Sequence, residues 1–466
     1  MEHRPESTRE LKAGERFSFG RAFVRGELHL GFWSFANKGA GALGSFFILS
    51  SLSVYQFGVY QLLLSLYGTL SDVFHDVFGS VMANDIARFI GERKEDRAKR
   101  MFAEYAVFRL VLAGVPWAAI FFGSPLFSAR FGPDTIAILR LTSFLFFADL
   151  LVIMATLLLS IRLEFAALAP RSAVQKFLQF AIIGGFYFFG HLGIFEIFTA
   201  RLASTVAAVA LMAPALVRSI RPWHGIAVYN RWLSWRVIRS YGKWALPQGL
   251  MSDFTGKIRP WLIKFFLNTE AVGIFGIASM FISALKDLIP IRTPGLLIPH
   301  RIKDPALLER FYRYGTKYCV WFTVLLCFAA AGGVPLAIRV LFPKFVPALP
   351  LFYLMLISVL MFAFIKPMSS FLIAFRRQKF IFLQGGFQNA LWLAVMVFTL
   401  PTIGILGLAI ADVVSSAAGT ALRYGYLIRT GLVAPFSLRA LVTFDDEDRA
   451  NLALVLRHLR FSFRWT

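Results

Sequence analysis

Lys38, Lys257 and Lys264 each stand inside a long apolar run, where a cation is costly unless it faces a cavity or a partner. Asp253, Lys257, Trp261 and Lys264 follow an i, i+4, i+8, i+11 spacing, which places them on one helical stripe. Arg259 and Pro260 lie beside that stripe, and the proline predicts a kink. Lys38 precedes Gly39, Ala40, Gly41, Ala42 and Gly44, small residues that allow close helix approach or local unwinding. Lys286, Asp287 and Arg292 fall among Pro290, Pro294 and Pro299, Lys366 precedes Pro367, and Arg201 stands in a further apolar run. Such cations have two uses. They can line a hydrated cleft and form charge-assisted bonds to phosphate oxygens, Arg bidentately, or they can snorkel and pair internally, as Asp253 with Lys257. Arg109, Arg140, Lys176 and Arg423 lie near expected helix ends, where snorkelling is the expectation.

The intramembrane carboxylates Asp72, Asp149, Asp253, Asp287 and Asp412 are candidates for ion coupling, since such groups relay protons or bind cations in transporters. Asp72, His75 and Asp76 share a helical face, but without a further ligand cluster no metal site is expected. Gln175 and Gln179, and Gln384, Gln388 and Asn389, suit sugar hydroxyls or interhelical hydrogen bonds. Trp261 and Trp392 are candidate sugar platforms against a background of 51 Phe, most of it lipid-facing bulk. Cys319 and Cys327 are eight residues apart on one helix, ~12 Å by helical rise, which is too far to bridge.

These residues require an apolar scaffold. The 466-residue chain is 58% hydrophobic and 16% charged, with mean hydropathy +0.65, which excludes a water-soluble globule. Its net charge of +23 and pI near 10.4 cannot form a soluble basic face for nucleic acid. Apolar windows predict twelve helices near 31–53, 57–79, 104–123, 139–160, 172–190, 194–216, 241–267, 271–299, 316–337, 349–374, 380–400 and 403–427. Long basic connections, such as Arg88 to Arg100 and Arg218 to Lys243, alternate with short, nearly uncharged ones. About 35 Lys or Arg fall on one side against about three on the other, Arg130, Arg339 and Lys344. Both termini are therefore expected in the cytoplasm of a multi-pass protein, and the polar, Arg-rich first 29 residues carry no cleavable signal.

The chain also repeats itself. Phe57-Gly58-Val59-Tyr60 running to Asp72 matches Val272-Gly273-Ile274-Phe275 running to Asp287 at an offset of 215, and Leu192-Gly193-Ile194-Phe195 matches Ile403-Gly404-Ile405-Leu406 at 211. The expected fold is an all-α integral membrane protein, about twelve transmembrane helices in two six-helix lobes related by an axis along the membrane normal. The expected domains are a cytoplasmic segment (1–29), an amino-terminal lobe (30–216), a basic linker (217–240), a carboxyl-terminal lobe (241–428) and a basic amphipathic tail (429–466). In that tail Leu452, Val455, Leu456 and Leu459 oppose Arg457, Arg460 and Arg464, a pattern suited to anionic lipid.

Phe57-Gly58-Val59-Tyr60-Gln61, Tyr241-Gly242-Lys243-Trp244-Ala245-Leu246-Pro247, Glu270-Ala271-Val272-Gly273-Ile274-Phe275 and Leu341-Phe342-Pro343-Lys344-Phe345-Val346-Pro347-Ala348 carry a family resemblance. Over roughly residues 30–430 the chain resembles the polysaccharide transporter family. These are the O-antigen or lipid-linked oligosaccharide flippases of the multidrug/oligosaccharidyl-lipid/polysaccharide exporter superfamily. The resemblance implies translocation of a polyprenyl-diphosphate-linked glycan from the cytoplasmic to the outer leaflet of a bacterial inner membrane by alternating access. It further implies polysaccharide assembly proteins as partners and H+ or Na+ coupling without an organic cofactor. A cationic lumen follows from it, to which we assign Lys38, Lys257, Lys264, Arg259, Arg201, Lys286, Arg292 and Lys366. The alternatives are a multidrug antiporter of the same fold, which would favour an acidic aromatic cleft, and a membrane-embedded glycan polymerase or ligase, which would need larger outer loops. No G-x-x-x-x-G-K-[ST] run is present, so ATP use by this chain is not expected.

Overall fold

The computed structural model describes residues 37–75, 79–131, 134–162, 164–168, 170–227, 229, 232–233, 256–289, 305–375, 377–433, 443–445 and 448–449. Among them there is no strand, and eight helices are long and apolar enough to cross a membrane. The helices are α1 (37–51), α2 (Val54–His75), α3 (Gly79–Gly91), α4 (Glu95–Phe131), α5 (Asp134–Ser143), α6 (Leu145–Ile161), α7 (Phe165–Leu168), α8 (Arg171–Phe188) and α9 (Ile194–Ile220). They continue as α10 (256–266), α11 (Thr269–Leu288), α12 (Pro305–Leu341), α13 (Leu349–Ala374), α14 (Gln378–Ile403) and α15 (Leu406–Arg429). Each of the twelve apolar segments read from the sequence carries a helix. The short α3 is an addition: Met82 and Ile86 on one face are fully buried, whereas the polar face is too rich and the helix too short to read as a span.

The chain divides into two compact units, Met1–Leu262 and Ile263–Thr466, with the division inside α10. In the first, Val59, Leu63 and Tyr67 of α2 pack with Ile120 of α4, Leu139 of α5, Leu145 and Phe146 of α6 and Phe198 of α9. A second core joins α3, α4 and α6 through Met82, Met101, Tyr105 and Leu158, closed by Trp223. In the other unit, Tyr312 of α12 packs with Phe371 and Leu372 of α13, Leu427 of α15 and Val433.

Local chemistry sets the helix ends. Ser53 and Gln56 exchange bonds at the start of α2, Ser53 N–H to Gln56 Oε1 at 2.9 Å and Gln56 N–H to Ser53 Oγ at 3.2 Å. Asn268 Oδ1 accepts from Ala271 N–H at 2.7 Å at the start of α11; caps of this kind contribute about 1 kcal/mol each. These caps stand 215 positions apart, the offset of the sequence match. Gly404, with φ of +67°, turns the chain between α14 and α15. Just beyond it Gly407 meets α14 so closely that a Cβ would lie 2.5 Å from the Thr399 carbonyl oxygen, while Thr399 Oγ donates to the Gly407 carbonyl at 3.0 Å.

Helices α4 and α12 are each 37 residues long, ~55 Å by helical rise, so each outreaches the hydrocarbon. On both, the first turns grip a segment that follows a later helix of the same unit, α9 in the first and α15 in the second. On α4, Glu95 accepts a bidentate pair from Arg162, both bonds 2.9 Å, and one from Trp223 Nε1 at 2.6 Å. Lys99 donates to the carbonyls of Trp223 (3.0 Å) and Ile226 (2.9 Å), and Glu104 accepts from Leu233 N–H at 3.0 Å. On α12, Lys317 is fully buried and pairs with Asp448; it also donates to the Thr443 carbonyl at 2.6 Å. Tyr318 and Tyr314 donate to Asp448 (2.9 Å) and Asp445 (3.0 Å), and Phe444 stacks on Trp321 at 5.8 Å. Asp445 and Asp448 bond each other's backbone N–H groups reciprocally.

Burial pushes the Asp448 carboxyl up, but bonds from Lys317, the Asp445 N–H and Tyr318 outweigh it and hold the group at about 2. A carboxyl depressed in the folded state stabilises fully above its unfolded value of ~3.9, and that contribution disappears as the pH falls through the folded value. The contact between α12 and Asp448 should therefore persist at about pH 5 and loosen only as the pH approaches about 2, read by the protease sensitivity of the 443–449 stretch. Gly407→Val should cost about 2 kcal/mol by overpacking against Thr399, seen as a lower thermal midpoint in detergent; an unchanged midpoint would contradict the close approach.

Candidate functional site

The interior of the first unit collects charge from several helices. Tyr67 of α2 is buried and donates its hydroxyl to Asp149 of α6. The Arg201 guanidinium of α9 lies over the Tyr67 ring, 4.8 Å from its centroid. The charges of Arg201 and of Arg171, the first residue of α8, both act on the Asp149 carboxylate, and Arg201 also acts on Lys176 of α8. Lys176 donates to Gln179 at 3.1 Å, and Gln175 donates to Thr205 of α9 at 2.8 Å. Beside Asp149 opens a small concavity lined by Leu70, Ser71, Arg109, Pro116, Phe146 and Asp149. Arg109, the fifteenth residue of α4, is only 5% exposed.

The charges of Arg171 and Arg201 thus act on one carboxylate, Arg109 lines the same concavity, and Lys176 lies within the field of Arg201. Basic groups gathered in this way suit a ligand or group bearing negative charge. Sequence position had assigned Arg109 and Lys176 to snorkelling, and Arg171 had not been singled out. Helix α4 begins at Glu95, well before the apolar run at 104–123, and that extension carries Arg109 into the interior.

Lys257 also belongs to this unit. Its carbonyl accepts from Ser65 Oγ of α2, and its side chain crosses Gly68, where a Cβ would stand 2.8 Å from both Cδ and Nζ. Glycine at position 68 is what lets the lysine stem lie against α2. Arg259 is half-buried on the same helix, Lys38 of α1 is exposed, and Trp261 is half-buried.

In the second unit, Lys286 of α11 and Lys366 of α13 converge on one aromatic ring, their ammonium groups 5.6 Å and 4.7 Å from the centroid of Phe362. Eighty residues separate these lysines in sequence, so nothing in the spacing pairs them. Lys264 is half-buried and Asp287 exposed, whereas Asp412 of α15 is 8% exposed. Gln384 and Gln388 bond each other at 2.9 Å, and Gln384 accepts from Arg423 Nε at 3.0 Å. Both amides pack over Gly419, so these side chains join α14 to α15, and Arg423 is answered inside the unit. Trp392 is buried at 2% exposure, packed within the unit and unable to present a face to a sugar. Cys319 and Cys327 are both free thiols and buried. Asp253, Arg292 and the side chain of Asp72 lie outside the described residues, as do Asp76 and the amphipathic stretch 452–464.

No protein-family model matches the chain, and no curated protein does. Solved structures do match. The lipid II flippase MurJ, in an inward closed conformation, aligns with a TM-score of 0.68 at 12% identity, over 88% of this chain and 89% of that one. An inward-facing multidrug resistance MATE family transporter of the MOP superfamily aligns at 0.66 and 13% identity, over 84% and 94%. A MATE transporter from Vibrio cholerae aligns at 0.56 and 15% identity, over 89% and 98%. The chain therefore has the fold of the MOP-superfamily transporters.

Two outcomes follow from the geometry. Gly68→Ala should displace the flexible Lys257 ammonium while leaving the thermal midpoint nearly unchanged, and amine labelling at Lys257 should rise. Tyr67→Phe should cost about 1 kcal/mol by removing a hydroxyl bond to a half-buried carboxylate, and Asp149→Asn should cost more because it leaves Arg201 and Arg171 without their anion; equal midpoints for both variants and the wild type would refute the network.

Proposed function

We propose that this protein is a flippase that carries a polyprenyl-diphosphate-linked oligosaccharide or polysaccharide repeat unit from the cytoplasmic to the outer leaflet of a bacterial inner membrane, for surface polysaccharide biosynthesis. The observation that carries this reading is the gathering of basic side chains from three helices of the first unit about Asp149, Arg109 buried beside it and Arg171 and Arg201 half-buried with their charges acting on it. The likeness to a structure titled as a lipid II flippase supports it, and the convergence of Lys286 and Lys366 on Phe362 adds a second cationic spot.

The physical logic is direct. A diphosphate with a polar glycan cannot cross hydrocarbon unaided, whereas a polyprenyl tail can stay in lipid. A hydrated cleft lined by Lys and Arg lowers the barrier for the head group by replacing water with charge-assisted bonds. We assign that lining to Lys38, Lys257, Lys264, Arg259, Arg201, Lys286, Arg292 and Lys366, and add Arg109, Arg171 and Lys176. Release requires that the cations change geometry during alternating access, and Asp149, linked to Arg201 through Tyr67, is placed to couple such a change to a proton or sodium ion. An exporter of organic cations would need the opposite interior, with carboxylates and aromatic faces in excess.

Reconstitution of the purified chain in vesicles tests the reading directly, with lipid-diphosphate-linked glycans supplied on one leaflet and sugar accessibility followed with and without ion gradients. Movement of the glycan to the other leaflet is expected, and its retention on the original leaflet under every gradient would end the proposal. Lys257→Ala with Lys264→Ala, and separately Arg201→Ala, should reduce transfer at least about tenfold, a barrier change of about 1.4 kcal/mol, at near-normal protein abundance.

A further inference from the structure

Helices α4 and α12 are copies in more than length. Their first residues, Glu95 and Pro305, their last, Phe131 and Leu341, and an internal proline in each, Pro125 and Pro335, are all 210 positions apart. The same step relates what docks on them. The Phe102 ring of α4 packs tilted against Trp223, centroids 5.3 Å apart, and 210 residues later Tyr312 of α12 shares a core with Val433. Leu233 bonds Glu104 through its N–H, and Thr443, again 210 residues on, bonds Lys317 through its carbonyl.

We propose that the segment carrying Val433, Thr443 and, beyond them, Asp445 and Asp448 is the second repeat's copy of the segment carrying Trp223 and Leu233, and that the two are matched clasps, each binding the base of its own long helix so that helix and returning segment move as one body during transport. The carboxyl-terminal stretch is then working structure in the second unit and not a trailing end. Its fastening is a buried ion pair with four further polar contacts, Thr443 carbonyl to Lys317, Tyr318 to Asp448, Tyr314 to Asp445 and Lys317 beside Asp445 at 3.8 Å. The first clasp has the same density of bonds around Glu95, Lys99 and Glu104.

The test uses the full chain in membranes with C319A and C327A as background. One pair of cysteines, Trp321→Cys with Phe444→Cys, reports the second clasp, and Arg97→Cys with Tyr229→Cys reports the first, since Arg97 lies 4.9 Å from the Tyr229 ring centroid. A short bis-maleimide should join both pairs. Adding Asp448→Asn should lower the yield at the second pair at least about fivefold, because a buried Lys317 loses its counter-charge, while the first pair in the same chain stays unchanged. The exchange Lys317→Asp with Asp448→Lys should recover part of the yield. If Asp448→Asn depresses both pairs, Tyr318→Phe supplies the graded version, with a smaller loss confined to the second pair.

Failure of either cysteine pair to join at normal protein abundance overturns the proposal, as does a yield at the second pair indifferent to both Asp448→Asn and Tyr318→Phe. One arm rests on the flippase reading: with both clasps joined, glycan transfer should continue at more than about half its normal rate, whereas Asp448→Asn should slow it. Loss of transfer on joining would show that the clasps open and would overturn the one-body claim. Absence of transfer in every sample, with the joining pattern as expected, would count against the flippase reading alone.

Discussion

A charge taken out of water has to be answered by another charge or dipole, and this constraint organises both units. The chain surrounds its buried ions with apolar helices, so each one is either bonded or a standing cost. Glu95, Glu104 and Lys317 are answered many times over, by guanidinium, indole, backbone and carboxylate partners. Asp149 is answered by Tyr67 and by the fields of two arginines. Around Asp149 the basic groups come from three different helices, so the charges there are gathered by the fold and not by neighbouring positions in the sequence.

The scaffold is largely written in hydropathy. Twelve apolar segments become helices because hydrocarbon leaves no other way to satisfy the backbone, and the caps at Ser53 and Asn268 fix where two of them begin. The repeat was visible in two short matches, and the helices extend it to a 37-residue element with a proline at the same place. The site was less legible. Lys257 stands out as a lysine in an apolar run, but its bed on Gly68 depends on a helix nearly two hundred residues earlier. Arg109 reads from the sequence as a snorkelling residue and Arg171 lies just before the window at 172–190, because apolar windows locate the hydrophobic middle of a helix and both α4 and α8 begin ahead of theirs. The long helix bases could not be read at all: their bonds join residues 124 to 131 positions apart, and no local periodicity records such a pairing.

The convergence of Lys286 and Lys366 on Phe362 shows a different way of tolerating charge. An aromatic face attracts an ammonium group without neutralising it, so two cations can share one ring and each keep capacity for an anion. The same device appears at Arg201 over Tyr67, where the phenol also reaches Asp149 through its hydroxyl. Tyr67 thus separates a cation from an anion by the width of a ring, holding them close without letting them close into a direct ion pair.

At both helix bases a lysine donates to carbonyls of the returning segment, but the carboxylates sit on opposite sides: on α4 Glu95 and Glu104 accept from the segment, whereas on α12 the segment brings Asp448 to Lys317. A duplicated chain synthesised from one end risks docking a segment on the wrong copy of its receptor helix, a hazard characteristic of repeated architectures. Here the mismatch is repelled: Asp448 brought to Glu95 or Glu104 would set two anions together, and the first segment offers Lys317 no carboxylate at the corresponding place. The difference in charge disfavours exchange of the two returning segments between the two helix bases.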